Sequence, residues 1–425
     1  MNDPQCEFEI VVVGAGPAGL AAACAAAESS GRVALIDDSP WLGGQIWRGE
    51  QRKHFDREAQ TWITRFGRSG AVLLDQTCAI GAPKPGTLLV ERAGASREIA
   101  WQRLILSTGA RELFLPFPGW TLPGVFGPGG LQALVKNGWP IAGKRVVVAG
   151  TGPLLLAVAD GLKKFGAHVI SIAEQAPWPR VRDFGLNLIG HPSKLLQGAG
   201  IKWRLRRVPY RFGAWPIRAE GSETIERVTL TDGTRTWTES CDALACGFGL
   251  VPNVELPLAL GCEMKNGFIS VDQWQTTNVA DVYCAGEPTG IGGVDCALAE
   301  GQVAGHSAAG QRDRAAALFD RRASWHRFRA ALDSAFRLRE ELQSLANDET
   351  VICRCEDVPL GRLKRFNGWR DAKLQSRCGM GACQGRVCSA AAKVVLGWTM
   401  ESVRPPILPV RLGSLTLPLP PSSAS

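Results

Sequence analysis

The chain has 425 residues, of which 45% are hydrophobic and 21% are charged, and its formal net charge is +8. At about 150 residues per domain, this length predicts two or three domains, each with its own core. No stretch approaches the ~18 consecutive apolar residues of a membrane-spanning helix, and the moderate charge does not indicate nucleic-acid binding.

The N-terminal segment MNDPQCEFEIVVVGAGPAG lacks the basic region and the cleavage site of a secretory signal. We therefore expect a cytoplasmic protein, attached to the inner membrane at most through a complex. Thirteen cysteines are present, eight of them single and five crowded between Cys353 and Cys388. That crowding favours a metal site over disulfides.

The first motif of the chain is a glycine loop. An apolar run ending at Val13 predicts a buried parallel strand, and GAGPAG and an alanine-rich helix follow it. The first glycine permits a tight turn, the second lets backbone approach a pyrophosphate, and the third lets the helix pack on the strand. The predicted dinucleotide-binding residues of this loop are Gly14, Gly16, Pro17, Ala18 and Gly19.

A second predicted strand, RVALIDD, ends at Asp37, 18 residues after Gly19. A carboxylate at this point is expected to accept the ribose hydroxyls of the adenosine, with Asp38 as the alternative. The following segment, SPWLGGQIWR, would bring backbone close to a flat ligand. Its predicted binding residues are Gly43, Gly44 and Gln45.

Residues 144–174 repeat the order of strand, glycine loop, helix, strand and acid. Gly150 and Gly152 occupy the first two glycine positions, but Leu155 occupies the third and should hold the helix farther from the strand. Glu174 is expected to accept ribose hydroxyls, which would favour NAD over NADP. A working NAD(P) site and a retained fold with an empty or repurposed pocket both stay open.

The segment IKWRLRRVPYR, residues 201–211, alternates apolar and basic side chains. This alternation predicts a half-exposed β-strand with a solvated cationic face. The basic segment 311–345 has apolar residues at helical spacing, which predicts an amphipathic connecting helix.

Residues 281–305 predict a strand, a glycine loop and a small-residue helix. This segment resembles the two-dinucleotide-domain flavoprotein reductases, in which such a strand and acid hold the ribityl and pyrophosphate part of FAD. LILSTGARE, residues 104–112, resembles the Thr-Gly segment where the chain leaves the FAD domain. The resemblance implies FAD in the first site, with further contacts from Thr108, Gly109, Gly286 and Glu287.

No paired cysteines such as CxxC precede Cys353, which disfavours a disulfide reductase. The five histidines are spread out and no general base for a substrate C–H bond is evident, so no catalytic residue is assigned.

The last motif is a cysteine cluster. VICRCEDV supplies Cys353 and Cys355, and RCGMGACQGRVC adds Cys378, Cys383 and Cys388. Four thiolates on glycine-containing loops favour a 2Fe-2S cluster. Structural zinc and a disulfide are the alternatives.

The pattern CRCEDV…CGMGACQGRVC resembles the bacterioferritin-associated-ferredoxin-like (BFD-like) 2Fe-2S domain of a family of alpha subunits. The family includes opine oxidases, D-hydroxyproline and L-proline dehydrogenases and hydrogen cyanide synthase. GAGPAG, GGQ and GPLLL extend the resemblance over nearly the whole chain. Its motif GMGxCQGRxC implies Cys353, Cys355, Cys383 and Cys388 as iron ligands, with Cys378 as an alternative.

The fold implied is α/β: a glutathione-reductase-like, three-layer flavoprotein with two dinucleotide-binding domains, followed by a small BFD-like domain. The expected divisions are an FAD domain (1–112 and 250–310), an NAD(P)-binding-like domain (113–249), a helical connector (311–348), a 2Fe-2S domain (349–400) and a proline-rich tail (401–425). For the tail, disorder and docking on a partner protein both stay open, and its apolar residues Ile407, Leu408, Val410 and Leu412 favour docking.

The resemblance implies an oxidoreductase acting on CH-NH donors as part of a complex. The chain would be the electron-transfer alpha subunit of an amino-acid, imino-acid or opine dehydrogenase. Expected partners are a glycine/D-amino-acid-oxidase-like flavoprotein beta subunit, which oxidises the amine, and a small 2Fe-2S ferredoxin-like subunit. The alternatives are a stand-alone NAD(P)H-dependent reductase with an external acceptor and a cofactor-bearing scaffold or redox sensor.

Overall fold

The computed structural model describes residues 7–49, 56–400 and 403–415. The strands are β1 (Glu7–Val13), β2 (Val33–Ile36), β3 (Val72–Leu74), β4 (Thr77–Gly81), β5 (Thr87–Arg92), β6 (Ala95–Leu106), β7 (Ala110–Glu112), β8 (Val125–Phe126), β9 (Arg145–Gly150), β10 (His168–Glu174), β11 (Tyr210–Phe212), β12 (Trp215–Glu220), β13 (Arg227–Thr231), β14 (Thr236–Ser240), β15 (Ala243–Gly247), β16 (Leu250–Pro252), β17 (Met264–Lys265), β18 (Phe268–Ile269), β19 (Val282–Cys284), β20 (Val351–Cys353) and β21 (Val358–Pro359). The α-helices are α1 (Pro17–Ala27), α2 (Arg57–Arg68), α3 (Pro128–Lys136), α4 (Leu154–Lys164), α5 (Trp178–Asn187), α6 (Pro192–Arg204), α7 (Glu255–Ala259), α8 (Gly293–Ala308), α9 (Arg312–Ala316), α10 (Phe319–Ala335), α11 (Leu360–Leu363), α12 (Trp369–Ser376) and α13 (Cys388–Leu396).

The chain divides into two compact units. The first unit takes its described residues from Met1–Ala110, Pro252–Arg329 and Ser402–Ser425, and the second from Arg111–Val251 and Ala330–Glu401. The second unit therefore contains both the second glycine loop and the cysteine cluster.

The first unit is built on a seven-stranded sheet in the order β3-β2-β1-β6-β5-β4, with β19 beside the C-terminal half of β6. Strands β1, β2, β3, β6 and β19 are parallel, whereas β4 and β5 are antiparallel. Helices α1 and α8 cross closely because both have small side chains. A Cβ atom on Gly301 or Gly305 of α8 would lie only 2.2 or 2.3 Å from a backbone oxygen of α1.

The second unit has a parallel sheet in the order β11-β10-β9-β15-β8 and an antiparallel sheet of β12, β13 and β14. Both sheets contribute to a core of buried apolar residues, including Val147 and Val228. A small region near the C-terminus contains the β20-β21 hairpin and helices α11 to α13. It has its own apolar cluster around Trp369, and the Trp120 indole donates to the Val351 carbonyl at 2.7 Å.

The structure confirms the predicted α/β class, but the strand predicted over residues 201–211 is wrong. Helix α6 continues to Arg204, and strand β11 begins only at Tyr210. Alternating apolar residues misled the prediction because Ile201 and Leu205, four residues apart, also share one helix face and pack on the core. Among the described residues, no helix is long and apolar enough to cross a membrane.

The described part of the proline-rich tail packs on its own chain. Ile407 is 8% exposed, and its N–H donates to the Ile80 carbonyl of β4 at 3.0 Å. The Ser414 hydroxyl donates to the Gly94 carbonyl, while Leu412 is exposed. Ile407, one of the residues that favoured docking on a partner, is therefore buried on its own chain, and docking of the exposed Leu412 stays a prediction. Residues 401–402 and 416–425 of the tail lie outside the described residues.

Candidate flavin site and cysteine centre

The first glycine loop has the shape that its sequence predicts. Gly14 has a φ angle of +103°, and a Cβ there would lie 2.2 Å from the Ser107 carbonyl oxygen. A Cβ on Gly19 would lie 1.7 Å from the Gly14 oxygen, so the helix can approach the strand only without one. Around Gly16, by contrast, the Cβ direction is open. This opening at the N-terminus of α1 is where a pyrophosphate could approach.

Asp37 closes the loop from the end of β2. Its carboxylate accepts hydrogen bonds from the backbone N–H of Ala15 at 2.5 Å and of Ser39 at 2.8 Å. Burial raises the pKa of this carboxyl group, and the two backbone donors oppose the shift. Asp38 is exposed. Asp37 is thus part of the loop wall, and its contact with a ribose stays a prediction.

The predicted GGQ segment lies next to the same opening. Gly43 donates its N–H to the Ala15 carbonyl at 2.9 Å, and a Cβ on Gly44 would lie 2.9 Å from the Gly16 Cα. Gln45 is exposed and accepts a hydrogen bond from the Arg48 guanidinium at 2.9 Å. Gly44 therefore leaves room beside Gly16, whereas a Cβ on Gly43 would lie 2.7 Å from the Trp47 Cβ.

Thr108 and Gly109 join two distant segments of the first unit. The Thr108 hydroxyl donates to the Asn253 carbonyl at 2.5 Å, and the Asn253 amide donates to the Thr108 carbonyl at 2.9 Å. The Asn253 N–H also donates to the Gly109 carbonyl at 2.9 Å. The sequence alone did not indicate Asn253, because no local pattern links it to Thr108, which lies 145 positions earlier in the chain.

Glu287 lies just beyond β19, beside the start of α1. Gly286 has a φ angle of +81°, and a Cβ there would lie 2.8 Å from the Ala18 Cβ. The Glu287 Oε1 accepts from the Gly293 N–H at 3.2 Å, whereas its Oε2 is buried without a hydrogen-bond partner among the described residues. A buried carboxylate oxygen without a donor is costly in a folded protein. It fits a site where a ligand hydroxyl would donate.

Glu300 is a structural residue of this site that the sequence analysis missed. It is 1% exposed, and its Oε2 accepts from the Gly286 N–H at 2.8 Å and the Thr289 hydroxyl at 2.7 Å. Its Oε1 lies 2.7 Å from His326 Nε2 and 3.5 Å from Arg329 Nη1. Glu300 thereby fixes the loop that carries Glu287. An acid within the small-residue helix DCALAEGQVAG was the signal available in the sequence.

The buried Glu287 predicts a dependence of stability on pH. Burial raises the pKa of Glu287 from 4.5 to about 7. The folded protein then binds this proton more tightly than the unfolded chain does. The free energy of unfolding therefore falls as pH rises from about 4.5 to about 7. We expect Glu287→Gln to raise the free energy of unfolding of flavin-free protein at about pH 8 by about 1–3 kcal/mol, and to change it little near pH 5.

Urea unfolding of flavin-free wild type and Glu287→Gln at both pH values measures this difference. Glu263, which is exposed, gives the matched control Glu263→Gln, for which no pH-dependent difference is expected. A Glu287→Gln variant less stable than wild type at the higher pH would show that the carboxylate is ionised and favourably paired.

In the second unit, Glu174 binds its glycine loop as Asp37 does in the first, and its contact with a ribose stays a prediction. It is 0% exposed and accepts from the N–H groups of Gly152 at 2.7 Å and Ala176 at 2.8 Å, and from the Thr151 hydroxyl at 3.1 Å. Burial raises its pKa to about 7. The carboxylate ties the glycine loop to the end of β10.

The chain itself also covers part of the second glycine loop. The Gln175 amide lies 3.5 Å from the Phe336 carbonyl and 3.3 Å from the Arg337 carbonyl, and its oxygen accepts from the Arg339 N–H at 3.2 Å. The Phe336 ring packs edge-on against Phe184, with centroids 5.2 Å apart. Residues 336–339 thus lie against the edge of β10 where a nucleotide would bind in this fold. Gly150 and Gly152 keep their positive φ angles of +130° and +93°.

The cysteine cluster gathers all five predicted residues. The Sγ atoms of Cys353, Cys378 and Cys388 lie within 4.8 Å of one another. The Cys388 thiol also contacts Cys383, which in turn contacts Cys355. Neighbouring thiols donate to Cys353 and to Cys383 and lower the pKa of each. The same contacts raise the pKa of Cys378 and Cys388, so the shifts alone select no set of ligands.

Backbone N–H groups are directed at the same sulfur atoms. Those of Gly379 and Glu356 donate to Cys353, and that of Cys383 donates to Cys355. The N–H groups of Gly385 and Val387 donate to Cys383. Such donors to cysteine sulfur are typical of iron-sulfur sites, where they tune the reduction potential. The donor set therefore fits a thiolate-ligated cluster.

The loop that carries these cysteines requires its glycines. Gly379 and Gly385 have φ angles of +79° and +80°, and a Cβ on them would lie 2.6 and 3.2 Å from the Trp369 ring. A Cβ on Gly381 would lie 2.3 Å from the Cys355 Cβ. The close packing against Trp369 and Cys355 accounts for the three glycines of the segment GMGACQG.

A pocket of about 200 Å³ opens beside the cysteines. Its lining comprises Cys353, Cys355, Cys383 and Cys388, together with Phe114, Trp120, Arg354 and Val387. Cys378 is absent from this lining, although its sulfur is one of the three that lie closest together. The two observations favour different ligand sets. The pocket is the better guide, because a cluster needs volume between its ligands and not only short distances among sulfurs.

Comparison with known proteins identifies the family. The family model described as pyridine nucleotide-disulphide oxidoreductase matches residues 8–303. The chain belongs to this family. It is similar to the HcnB subunit of hydrogen cyanide synthase from Pseudomonas protegens, with 31% identity over 419 residues and 89% of each chain covered. The corresponding opine oxidase subunit of Rhizobium meliloti is 31% identical over 462 residues, covering 96% of this chain and 98% of the relative.

Solved structures agree on the fold. L-proline dehydrogenase from P. horikoshii matches 97% of this chain and 80% of its own length, with a TM-score of 0.72 and 22% identity. Thioredoxin reductase of T. acidophilum matches 72% of this chain with a TM-score of 0.55. The resemblance inferred from sequence is confirmed: the chain is an FAD-dependent oxidoreductase related to subunits of multi-subunit enzymes.

Proposed function

We propose that this chain is the electron-transfer alpha subunit of a cytoplasmic multi-subunit dehydrogenase that oxidises an amino acid, imino acid or opine. The observation that carries the proposal is the second glycine loop, where residues 336–339 bond to Gln175. Because the chain's own groups occupy this edge, a pyridine nucleotide is a poor electron donor for it. The CH-NH oxidation would then occur on a partner subunit.

In this proposal the first unit holds FAD. The opening at Gly16 and the N-terminus of α1 would receive the pyrophosphate, and Asp37 would lie beside the adenosine ribose. The unpartnered Oε2 of Glu287 would accept a ribityl hydroxyl. FAD supplies two-electron chemistry when bound. The residues of the chain bind it and orient it.

The cysteine centre would hold a 2Fe-2S cluster through Cys353, Cys355, Cys383 and Cys388, with Cys378 behind them. All four line the pocket, and backbone N–H groups donate to three of these sulfurs. A 2Fe-2S cluster supplies one-electron transfer when bound. Structural zinc is the alternative for the same thiolates.

The partners proposed are a flavoprotein beta subunit that oxidises the amine and a small 2Fe-2S subunit. The related chains of hydrogen cyanide synthase and opine oxidase support assembly with partners, since each is named as one subunit of its enzyme. The competing function is a stand-alone NAD(P)H-dependent reductase, for which the retained positive φ angles of Gly150 and Gly152 are the favourable observation.

Anaerobic mixing of the purified chain with NADH or NADPH separates the two functions. We expect the flavin absorbance near 450 nm to stay unchanged on the time scale of turnover, and to fall when amine substrate is added to the chain co-purified with its flavoprotein partner. Rapid bleaching by NADH or NADPH without a partner would establish the reductase instead.

A further inference from the structure

A helical hairpin in the second unit exposes large apolar side chains. It consists of α5 and α6 and the short turn between them, and no residue of α6 is buried. The exposed fractions reach 73% for Leu196 and 69% for Trp203. The other large apolar side chains exposed here are Trp178, Leu186, Ile189 and Leu195. Single exposed apolar residues are ordinary, but a contiguous set indicates an interaction surface.

The apolar side chains of α6 lie on one outward face. Leu196, Ala199 and Trp203 follow at intervals of three and four residues, which places them in one row along the helix, and all three are exposed. Ile201, on the opposite face, packs against the core of the unit. The outward row therefore contributes nothing to folding.

Cations surround this row. Residues 178–207 carry seven basic side chains and one acid, Asp183, which gives this segment a net charge of +6. The basic residues are Arg180, Arg182, Lys194, Lys202, Arg204, Arg206 and Arg207. Arg204 is paired with Asp160 of α4, and the Arg206 guanidinium lies over the Trp203 ring at 4.8 Å.

We propose that the α5–α6 hairpin docks on the surface of an anionic phospholipid bilayer. The row of Leu196, Ala199 and Trp203 would enter the boundary between headgroups and acyl chains, and the surrounding Arg and Lys side chains would contact lipid phosphates. The net charge of +6 around an apolar row favours an anionic bilayer as the occupant, and a protein partner is an outcome of the test below. This proposal does not depend on the identity of the oxidised substrate.

Co-sedimentation of the full-length, cofactor-loaded chain with vesicles tests the proposal. We expect binding to vesicles of phosphatidylcholine with about 30% phosphatidylglycerol, little binding to phosphatidylcholine alone, and weaker binding as salt rises. The double variants Leu196→Gln/Trp203→Gln and Arg180→Glu/Arg207→Glu should each lower the vesicle partition coefficient roughly tenfold.

Two controls accompany these variants, one for loss of an exposed leucine and one for the change of net charge. Leu374→Gln alters an exposed leucine of α12, and Arg68→Glu/Arg235→Glu changes the net charge as much as the hairpin charge variant does. Both should bind vesicles like wild type. Failure of wild type to bind anionic vesicles, equal binding to neutral ones, or equal losses in the controls would overturn the proposal. Hairpin variants that keep vesicle binding but lose a co-expressed partner subunit would also overturn it and identify a protein interface.

Discussion

Replacing Cys383 with serine is expected to yield a chain that has lost its iron but keeps its flavin. Cys383 lines the pocket, contacts Cys388 and Cys355, and receives backbone N–H donors from Gly385 and Val387. Loss of one of four thiolates should lower bound iron at least about tenfold, since even changes next to metal ligands cost roughly 10–100-fold in affinity. Iron content per chain and the visible absorption beyond the flavin bands measure the loss.

Cys378→Ser is the informative comparison, because Cys378 belongs to the same cluster of sulfurs but does not line the pocket. We expect this variant to retain iron. Cys262→Ser, a buried single cysteine of the first unit, controls for loss of a thiol as such. Iron loss in Cys378→Ser with retention in Cys383→Ser would reassign the ligands. Zinc in place of iron in the wild type would exclude the proposed cluster.

The elements that carry the site could be predicted from local sequence. Each glycine loop follows a run of apolar residues and precedes a helix, and its glycines are needed at positions such as Gly14 and Gly150, where a Cβ would collide with backbone. The five cysteines are likewise close in sequence and in space. In these cases the same few residues determine both the pattern and the geometry.

Contacts between distant segments could not be predicted in this way. Ser107 donates to the carbonyls of Val13 and Gly14, Glu300 holds the loop of Glu287, and residues 336–339 cover the second glycine loop. None has a periodic or spaced signature, because each partner lies elsewhere in the chain. A single sequence also does not reveal that Glu174, like Asp37, accepts a hydrogen bond from the backbone of its own glycine loop.

The two glycine loops differ in what remains available to a ligand. The Cβ direction is open at both Gly16 and Gly152, and Asp37 and Glu174 both accept from the backbone of their loops. Beside the first loop, the Oε2 of Glu287 lacks a donor among the described residues. Beside the second, Gln175 is bonded to the connector.

Gly16→Val is expected to remove FAD while leaving the chain folded. Gly16 has φ −71° and ψ −176°, which valine adopts readily, and no atom of the described residues lies within 4 Å of its Cβ position. The added methyl groups would occupy the space where backbone must approach the pyrophosphate. We expect FAD affinity to fall at least roughly tenfold, an effect of about 1.4 kcal/mol or more. Titration of flavin-free protein with FAD measures the affinity, and circular dichroism checks the fold.

Variants of two other glycines distinguish a loss of FAD binding from a loss of folding. Gly67→Val, in α2, also places its Cβ in open space and should bind FAD like wild type. Gly19→Val puts a Cβ 1.7 Å from the Gly14 oxygen and should fail to fold, because backbone cannot move aside cheaply. If Gly16→Val retains full FAD affinity, the flavin pyrophosphate does not lie at this loop. If it unfolds like Gly19→Val, the open space at Gly16 serves the packing of the chain and not a ligand.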